Sequence, residues 1–195
     1  MKTSKKSYNL KSFTKLENNL ELNSSIEFRE NLIYLSYSLV GDISSIIIPD
    51  TSNIQSSKAD IILNKEETFK LGKRKDNLWK STCFELFLAS KTNKKYLELN
   101  ISPSLDFNIY KFSDYRLGMK NENNLEILEI NRKKEDNYFA LNFIIRKKTI
   151  FNIKDIIFNI SAIIKYSNDK SMYYAINHDE KKPDFHKKEN FVSFS

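Results

Sequence analysis

The sequence predicts an all-β fold: an antiparallel β-sandwich, jelly-roll-like, with two packed sheets and at most short helices. Three observations predict it. Segments alternating between apolar and polar residues recur along the chain and are rich in Ile, Phe and Tyr. Polar, turn-forming stretches separate them at short intervals. The 195 residues carry no internal repeat and no linker, a length common for one all-β unit, so a single domain is expected over 1–195.

Taken in order, "SIEFRE" (25–30) alternates, "LIYLSYSLV" (32–40) is a longer β-rich run, and "IIIP" (46–49) is a short one. The stretch 50–76 is polar and reads as a long loop or a short helix. "TCFELFLA" (82–89) and "YLELNIS" (96–102) flank the polar "SKTNKK", as in a hairpin. "FNIYKF" (107–112), "LEILEINR" (125–132) and "YFALNFIIR" (138–146) follow, with "NENN" (121–124) as a turn in which Asn takes the place of Gly. "TIFNIKDII" (149–157) has room for a helical turn. "IFNISAIIKY" (157–166), "SMYYAIN" (171–177) and "NFVSF" (190–194) complete the series.

Composition narrows the function. Net charge is +7, from 32 basic and 25 acidic residues. The densest clusters, "KRK" (73–75), "RKK" (132–134) and "RKK" (146–148), fall where turns are expected. A nucleic-acid surface favours Arg interleaved with aromatics on one face, so no nucleic-acid partner is expected. Cys83 is the only cysteine, which rules out an internal disulfide. The first twenty residues lack an apolar signal core, and no run approaches the length of a membrane span. A cytoplasmic protein with no membrane partner is therefore expected. Neither a Gly-rich phosphate loop nor CxxC nor HExxH is present, so neither a cofactor nor a metal is expected.

The chemistry concentrates in two places. In a strand over 96–102, Leu97, Leu99 and Ile101 face the core, while Tyr96, Glu98, Asn100 and Ser102 face outward. In "TCFELFL", Phe84, Leu86 and Leu88 share one face, with Cys83, Glu85 and Phe87 on the other. Pairing the two strands with apolar faces aligned brings Glu85 beside Glu98 and Asn100. Trp79 lies just upstream. An aromatic ring beside carboxylates and amides suits a sugar, whose CH face stacks while its hydroxyls bond the polar groups. The plainer alternative leaves Trp79 as a core cap and both glutamates solvated. Cys83, inside a strand beside Phe84, reads as a small buried side chain rather than a nucleophile.

The second place is "NHDEKKPDFHKK", with His178, Asp184 and His186 in one loop braced by Pro183 and Phe185. His near Asp serves as a general base, a proton shuttle or a metal ligand pair, but two His without a third ligand make a weak metal signal. A loop whose His residues bond the backbone is the alternative. In "DYRLGM" (114–119), Arg116 either clamps a ligand carboxylate or phosphate, or pairs with an internal acid to hold its loop.

Together, "DNLWKSTCFELFL", "YLELNISPSLDFNIYKFSDYRLGM" and "YYAINHDEKKPDFHKKENFVSF" resemble the DOMON-like proteins related to family 9 carbohydrate-binding modules. The resemblance runs over nearly the whole chain. It implies a jelly-roll-like sandwich with a ligand site on one sheet face, in relatives that bind sugars or haem. The motif positions carried over are Trp79, Thr82, Cys83, Glu85, Asn100, Ser102, Tyr110, Tyr115, Arg116, His178, Asp184 and His186. Phe107 stands where relatives often have Trp, which weakens a sandwich of two aromatics. The leading expectation is a domain binding a carbohydrate or polyol. Trp79 and Tyr110 would be its platforms, and Glu85, Asn100, Arg116 and His186 its polar anchors. One alternative is an enzyme using Glu85 with His186, or Glu85 with Glu98, as its acid–base pair. Another is a haem-binding domain with Met119 and His178 as axial ligands.

Overall fold

A computed structural model describes residues 4–14, 20–50, 67–68, 72–148, 155–179 and 181–194. In chain order the strands are β1 (Ser4–Asn9), β2 (Lys11–Ser12), β3 (Glu21–Arg29), β4 (Leu32–Val40), β5 (Glu67–Thr68), β6 (Cys83–Ser90), β7 (Tyr96–Ile101) and β8 (Phe107–Phe112). They continue with β9 (Lys120–Asn121), β10 (Leu125–Glu135), β11 (Tyr138–Lys147), β12 (Ile156–Lys165), β13 (Ser171–Ala175) and β14 (Val192–Ser193). They form a β-sandwich. A six-stranded sheet runs β1-β3-β4-β11-β10-β5, and an eight-stranded sheet runs β2-β13-β12-β6-β7-β8-β9, with β14 also paired to β12. The strand ladders are antiparallel.

The strands lie close to where the alternation placed them. β4 and β8 coincide with their predicted segments, and β6 and β7 pair as the predicted hairpin, Leu88 opposite Leu97 and Glu85 opposite Asn100. "IIIP" contributes only an isolated bridge, Ile46 to Tyr166. Most of 50–76, and 149–154, lie outside the described residues; Leu78–Lys80 form one 3-10 turn. β1 and β2 carry no apolar alternation. They are held as polar, Lys-bearing strands at sheet edges, where such residues discourage pairing with another chain.

The two sheets are buried differently. In β4, buried Ile33, Leu35, Tyr37 and Leu39 alternate with partly exposed residues, as in a sheet with one wet face. β6 is buried at every position from Cys83 to Ala89. Its inward Phe84, Leu86 and Leu88 pack with Leu99, Ile101, Phe158 and Ile160 in the main core. Its outward Phe87 joins Tyr96, Tyr110, Phe112 and Phe185 in a second apolar cluster. A segment after β13 crosses this outer face, so the eight-stranded sheet has cores on both sides. Tyr37 ties the layers together: its hydroxyl, fully buried, donates to the Glu85 carbonyl at 2.6 Å. Replacing Tyr37 with Phe removes that bond between the sheets, and urea unfolding is expected to show a loss of about 1 kcal/mol with an unchanged m-value. An unaltered midpoint contradicts this tie.

Candidate functional site

The outer face of the eight-stranded sheet carries a row of polar side chains set by strand register. Ser161 on β12 pairs with Glu85 on β6, Glu85 with Asn100 on β7, and Asn100 with Asn108 on β8. The next row along runs Asn159, Phe87, Glu98, Tyr110. Glu85, Glu98, Asn100, Asn108, Asn159 and Ser161 are all at most 5% exposed. A polar stripe so deep in a sheet is costly unless its groups are hydrogen-bonded or neutral.

Some of the demand is met within the stripe. Ser161 Oγ donates to Glu85 Oε2 at 3.1 Å, and Asn100 Nδ2 to Glu98 Oε1 at 2.7 Å. Asn159 Nδ2 reaches the Phe185 carbonyl at 3.4 Å. The carbonyl oxygens of both amides, Asn100 Oδ1 and Asn159 Oδ1, are buried without a hydrogen-bond partner among the described residues. The carboxyls lessen the cost by holding their protons to higher pH than usual. Burial, then the nearby Glu98 charge, push Glu85 well above the usual carboxylate range, with Ser161 pulling back. Burial raises Glu98 to about 7 against the pull of Asn100 and Arg116. Glu85 and Glu98 are diagonal neighbours across β6 and β7, with backbones roughly 7–8 Å apart.

The cover comes from two loops and one latch. Asp184 is 3% exposed. Its Oδ1 accepts from Arg116 Nη2 at 3.0 Å and from the His186 amide at 3.2 Å, and its Oδ2 accepts from the Tyr115 hydroxyl. Burial pushes this carboxyl up, but Tyr115 and Arg116 outweigh it and hold it below the usual range. Arg116 lies at φ 54, a left-handed conformation uncommon outside glycine. At Gly118, φ +66, the backbone is left-handed, which favours glycine, and an added Cβ would crowd the Ser113 side chain.

The latch delivers His186 into the second apolar cluster. Its ring meets Phe87, Tyr96 and Phe112 edge-on at 5.1, 5.7 and 5.4 Å. The Arg116 amide donates to the Tyr96 hydroxyl at 3.1 Å, and that hydroxyl contacts His186 Nδ1 at 2.7 Å. Burial raises Tyr96 to about 12, so it stays a neutral donor. The chain of donors therefore assigns the imidazole proton to Nε2, which lies 3.8 Å from Glu98 Oε2. Burial, then Arg116, lower His186 to about 4. The His186–Glu98 contact is thus a neutral imidazole facing a carboxyl, not an ion pair.

Of the residues singled out in the sequence, Glu85, Glu98 and Asn100 share the floor, and Arg116, Asp184 and His186 form its cover. Trp79 lies at the margin, partly buried, with its ring 5.9 Å from Tyr110 in a T-shaped contact. Tyr110 is 2% exposed, and its hydroxyl donates to Asp76 at 2.7 Å while accepting from Asn108 at 2.9 Å, so it supports Trp79 from below. Ser102 is buried in the turn after β7, accepting from the Ser104 hydroxyl at 2.9 Å. His178 lies to one side, its Nε2 2.7 Å from the Lys11 carbonyl and its ring against Phe13 and Phe185. Met119, the other candidate haem ligand, is 51% exposed on the β8–β9 loop. The imidazole of His186 faces Glu98 rather than Glu85. Cys83 is fully buried, and burial pushes its thiol well up. Sequence reasoning missed Asn159 and Ser161. Their signal was two polar residues at strand spacing in "IFNISAII".

No protein-family model and no curated protein matches the chain. Among solved structures, a Bacteroides uniformis protein provisionally designated carbohydrate-binding aligns over 96% of this chain and 84% of its own, with TM-score 0.62 and 8% identity. A family 9 carbohydrate-binding module from Caldicellulosiruptor kristjanssonii, solved with cellotriose, aligns over 94% and 78%, with TM-score 0.49 and 10% identity. At 8% identity the likeness to the first is one of fold.

The site has a definite pH signature. Between the ordinary 4.5 and about 7, folded Glu98 keeps a proton that the unfolded chain has released, so its contribution to stability is lost as pH rises through that window. His186 acts oppositely: between about 4 and the ordinary 6.5 the fold excludes a proton that the unfolded chain holds, so its contribution is lost as pH falls. Glu98→Gln removes the first effect and keeps the acceptor for Asn100. Its melting temperature is expected to exceed wild type at about pH 8, equivalent to roughly 1–3 kcal/mol, with the gap closing at about pH 5. A gap independent of pH contradicts the neutral carboxyl.

Proposed function

We propose that the polar stripe between Trp79 and the latch is the floor of a carbohydrate- or polyol-binding site. The observation that carries this reading is the pair of buried acceptors, Asn100 Oδ1 and Asn159 Oδ1, without partners among the described residues. Each unmet buried acceptor costs about 1–3 kcal/mol, which a ligand hydroxyl recovers by donating. Beside them, Glu85 and Glu98 in their protonated form offer both donor and acceptor oxygens, and His186 offers Nε2–H. Neutral groups of mixed polarity match hydroxyls, each of which donates and accepts, better than they match a charged ligand. Trp79 is the aromatic face at the margin. The fold shared with the Bacteroides uniformis protein and the resemblance to family 9 carbohydrate-binding modules support the same ligand class.

The test is titration calorimetry and affinity electrophoresis against a panel of gluco-, xylo- and manno-oligosaccharides and linear polyols. Wild type is expected to bind at least one member, weakly, because each hydroxyl exchanges a water contact for a net gain of only about 1 kcal/mol. Trp79→Ala and Asn159→Ala are expected to weaken that binding about tenfold each, with the fold preserved by circular dichroism. Failure of wild type to bind any member at roughly 1 mM, or undiminished binding by both folded variants, overturns the reading.

A further inference from the structure

The six-stranded sheet carries a polar row of its own, on the face turned away from the main core. Ser25 on β3 lies opposite Ser36 on β4, Ser36 opposite Asn142 on β11, and Asn142 opposite Asn131 on β10. Each is partly buried, and together they line a groove of about 310 Å³, the size of a small-molecule site. Neighbouring strands lie about 4.8 Å apart, so the row runs about 14 Å across the sheet. β10 breaks register between Ile127 and Glu129, a bulge of the kind that bends a strand and re-aims its side chains.

Hydrogen bonding along the row is incomplete. The Ser25 and Ser36 hydroxyls meet each other at 2.7 Å. Asn131 donates from Nδ2 to Glu129 Oε1 at 3.0 Å and leaves its Oδ1 buried without a partner among the described residues. Asn142 makes no side-chain hydrogen bond among the described residues. Asn is disfavoured in strands, so two facing Asn in mid-strand do not serve the sheet. The charges beside the row are balanced. Arg29 grips Glu27 through Nε and Nη2 at 2.7 and 2.8 Å, and Lys5 and Glu129, of opposite sign, also line the groove. The Arg29 guanidinium lies 4.5 Å from the centre of the Tyr34 ring, which lines the groove as well.

We propose that this groove is a second carbohydrate site, one that takes an extended, uncharged oligosaccharide lying across the strands. Ligand hydroxyls donate to Asn131 Oδ1 and exchange hydrogen bonds with the Asn142 amide and the two serines, and Tyr34 supplies an aromatic surface for a pyranose ring. Balanced charges give an anionic or cationic ligand no advantage. A peptide strand pairs with a free sheet edge, whereas this groove presents side chains on a sheet face. The site lies on the sheet opposite the polar stripe and does not depend on it.

Nitrogen-15 NMR of the side-chain amides reads the two sites separately, because Asn131 and Asn142 report the groove while Asn100 and Asn159 report the stripe. The probes are cellohexaose, xylohexaose and mannohexaose. At roughly 1 mM, at least one is expected to shift the Asn131 and Asn142 side-chain signals, and to bind there at least about tenfold more tightly than its monosaccharide. Asn142→Leu keeps the size of the side chain and removes the amide. Its melting temperature is expected to stay near wild type, since the fold draws no hydrogen bond from the Asn142 side chain. Its affinity for the same hexasaccharide, read from the Asn131 signals, is expected to fall about tenfold. Unmoved Asn131 and Asn142 signals with all of the probes, equal affinity for hexasaccharide and monosaccharide, or undiminished affinity in folded Asn142→Leu overturns the proposal. Shifts confined to Asn100 and Asn159 overturn it too while leaving the polar-stripe reading standing, so the two readings fail separately.

Discussion

Asp184 holds the segment after β13 across the outer face of β6, β7 and β12, and that cover governs the chemistry beneath it. The carboxylate accepts from Arg116, from the Tyr115 hydroxyl and from the His186 amide, so one buried acid fixes two loops at once. Beneath the cover, Phe87, Tyr96, Phe112 and Phe185 form a second apolar cluster. Low dielectric follows from it, and with low dielectric come protonated glutamates and a neutral histidine. The same side chains on a wet sheet face would ionise near their ordinary values.

A sheet with cores on both sides is unusual for an antiparallel sandwich, where one face commonly meets water. The six-stranded sheet follows that rule, with β4 buried at every second position, whereas β6 is buried throughout. The strand register then leaves Ser161, Glu85, Asn100 and Asn108 in line within the dry region. Buried polar groups that are not fully satisfied oppose stability. Among the described residues, Asn100 Oδ1 and Asn159 Oδ1 in this stripe have no hydrogen-bond partner, so the stripe does not reinforce the fold through them.

Much of this was legible in the residues, and what was not has a physical reason. Period-two alternation in "TCFELFLA" and "YLELNIS" contains both the pairing and the facing of Glu85, Glu98 and Asn100, because side-chain direction in a strand follows from position alone. The roles of Asp184 and His186 are of another kind. Asp184 meets Tyr115 at a separation of 69 residues, and His186 meets Tyr96 at 90, so local pattern carries no trace of either contact. Tyr110 reads as a platform from its aromatic character, but its register opposite Glu98 and the bond to Asp76 place it underneath. β1 was invisible because "SKKSYN" has no apolar alternation. It is held by backbone pairing with β3, with Tyr8 packed edge-on against Phe158 of the core.

The chemistry of the site depends on carboxyl groups kept neutral on a covered sheet face. Carbon-13 NMR titration of the Glu85 and Glu98 side-chain carboxyls measures this directly. The predicted result is a Glu98 midpoint at about 7 and a Glu85 midpoint well above the ordinary 4.5, together with an imidazole at His186 that stays neutral until about 4. Midpoints for both glutamates near 4.5 would show that water reaches the stripe and that the cover does not create the environment described.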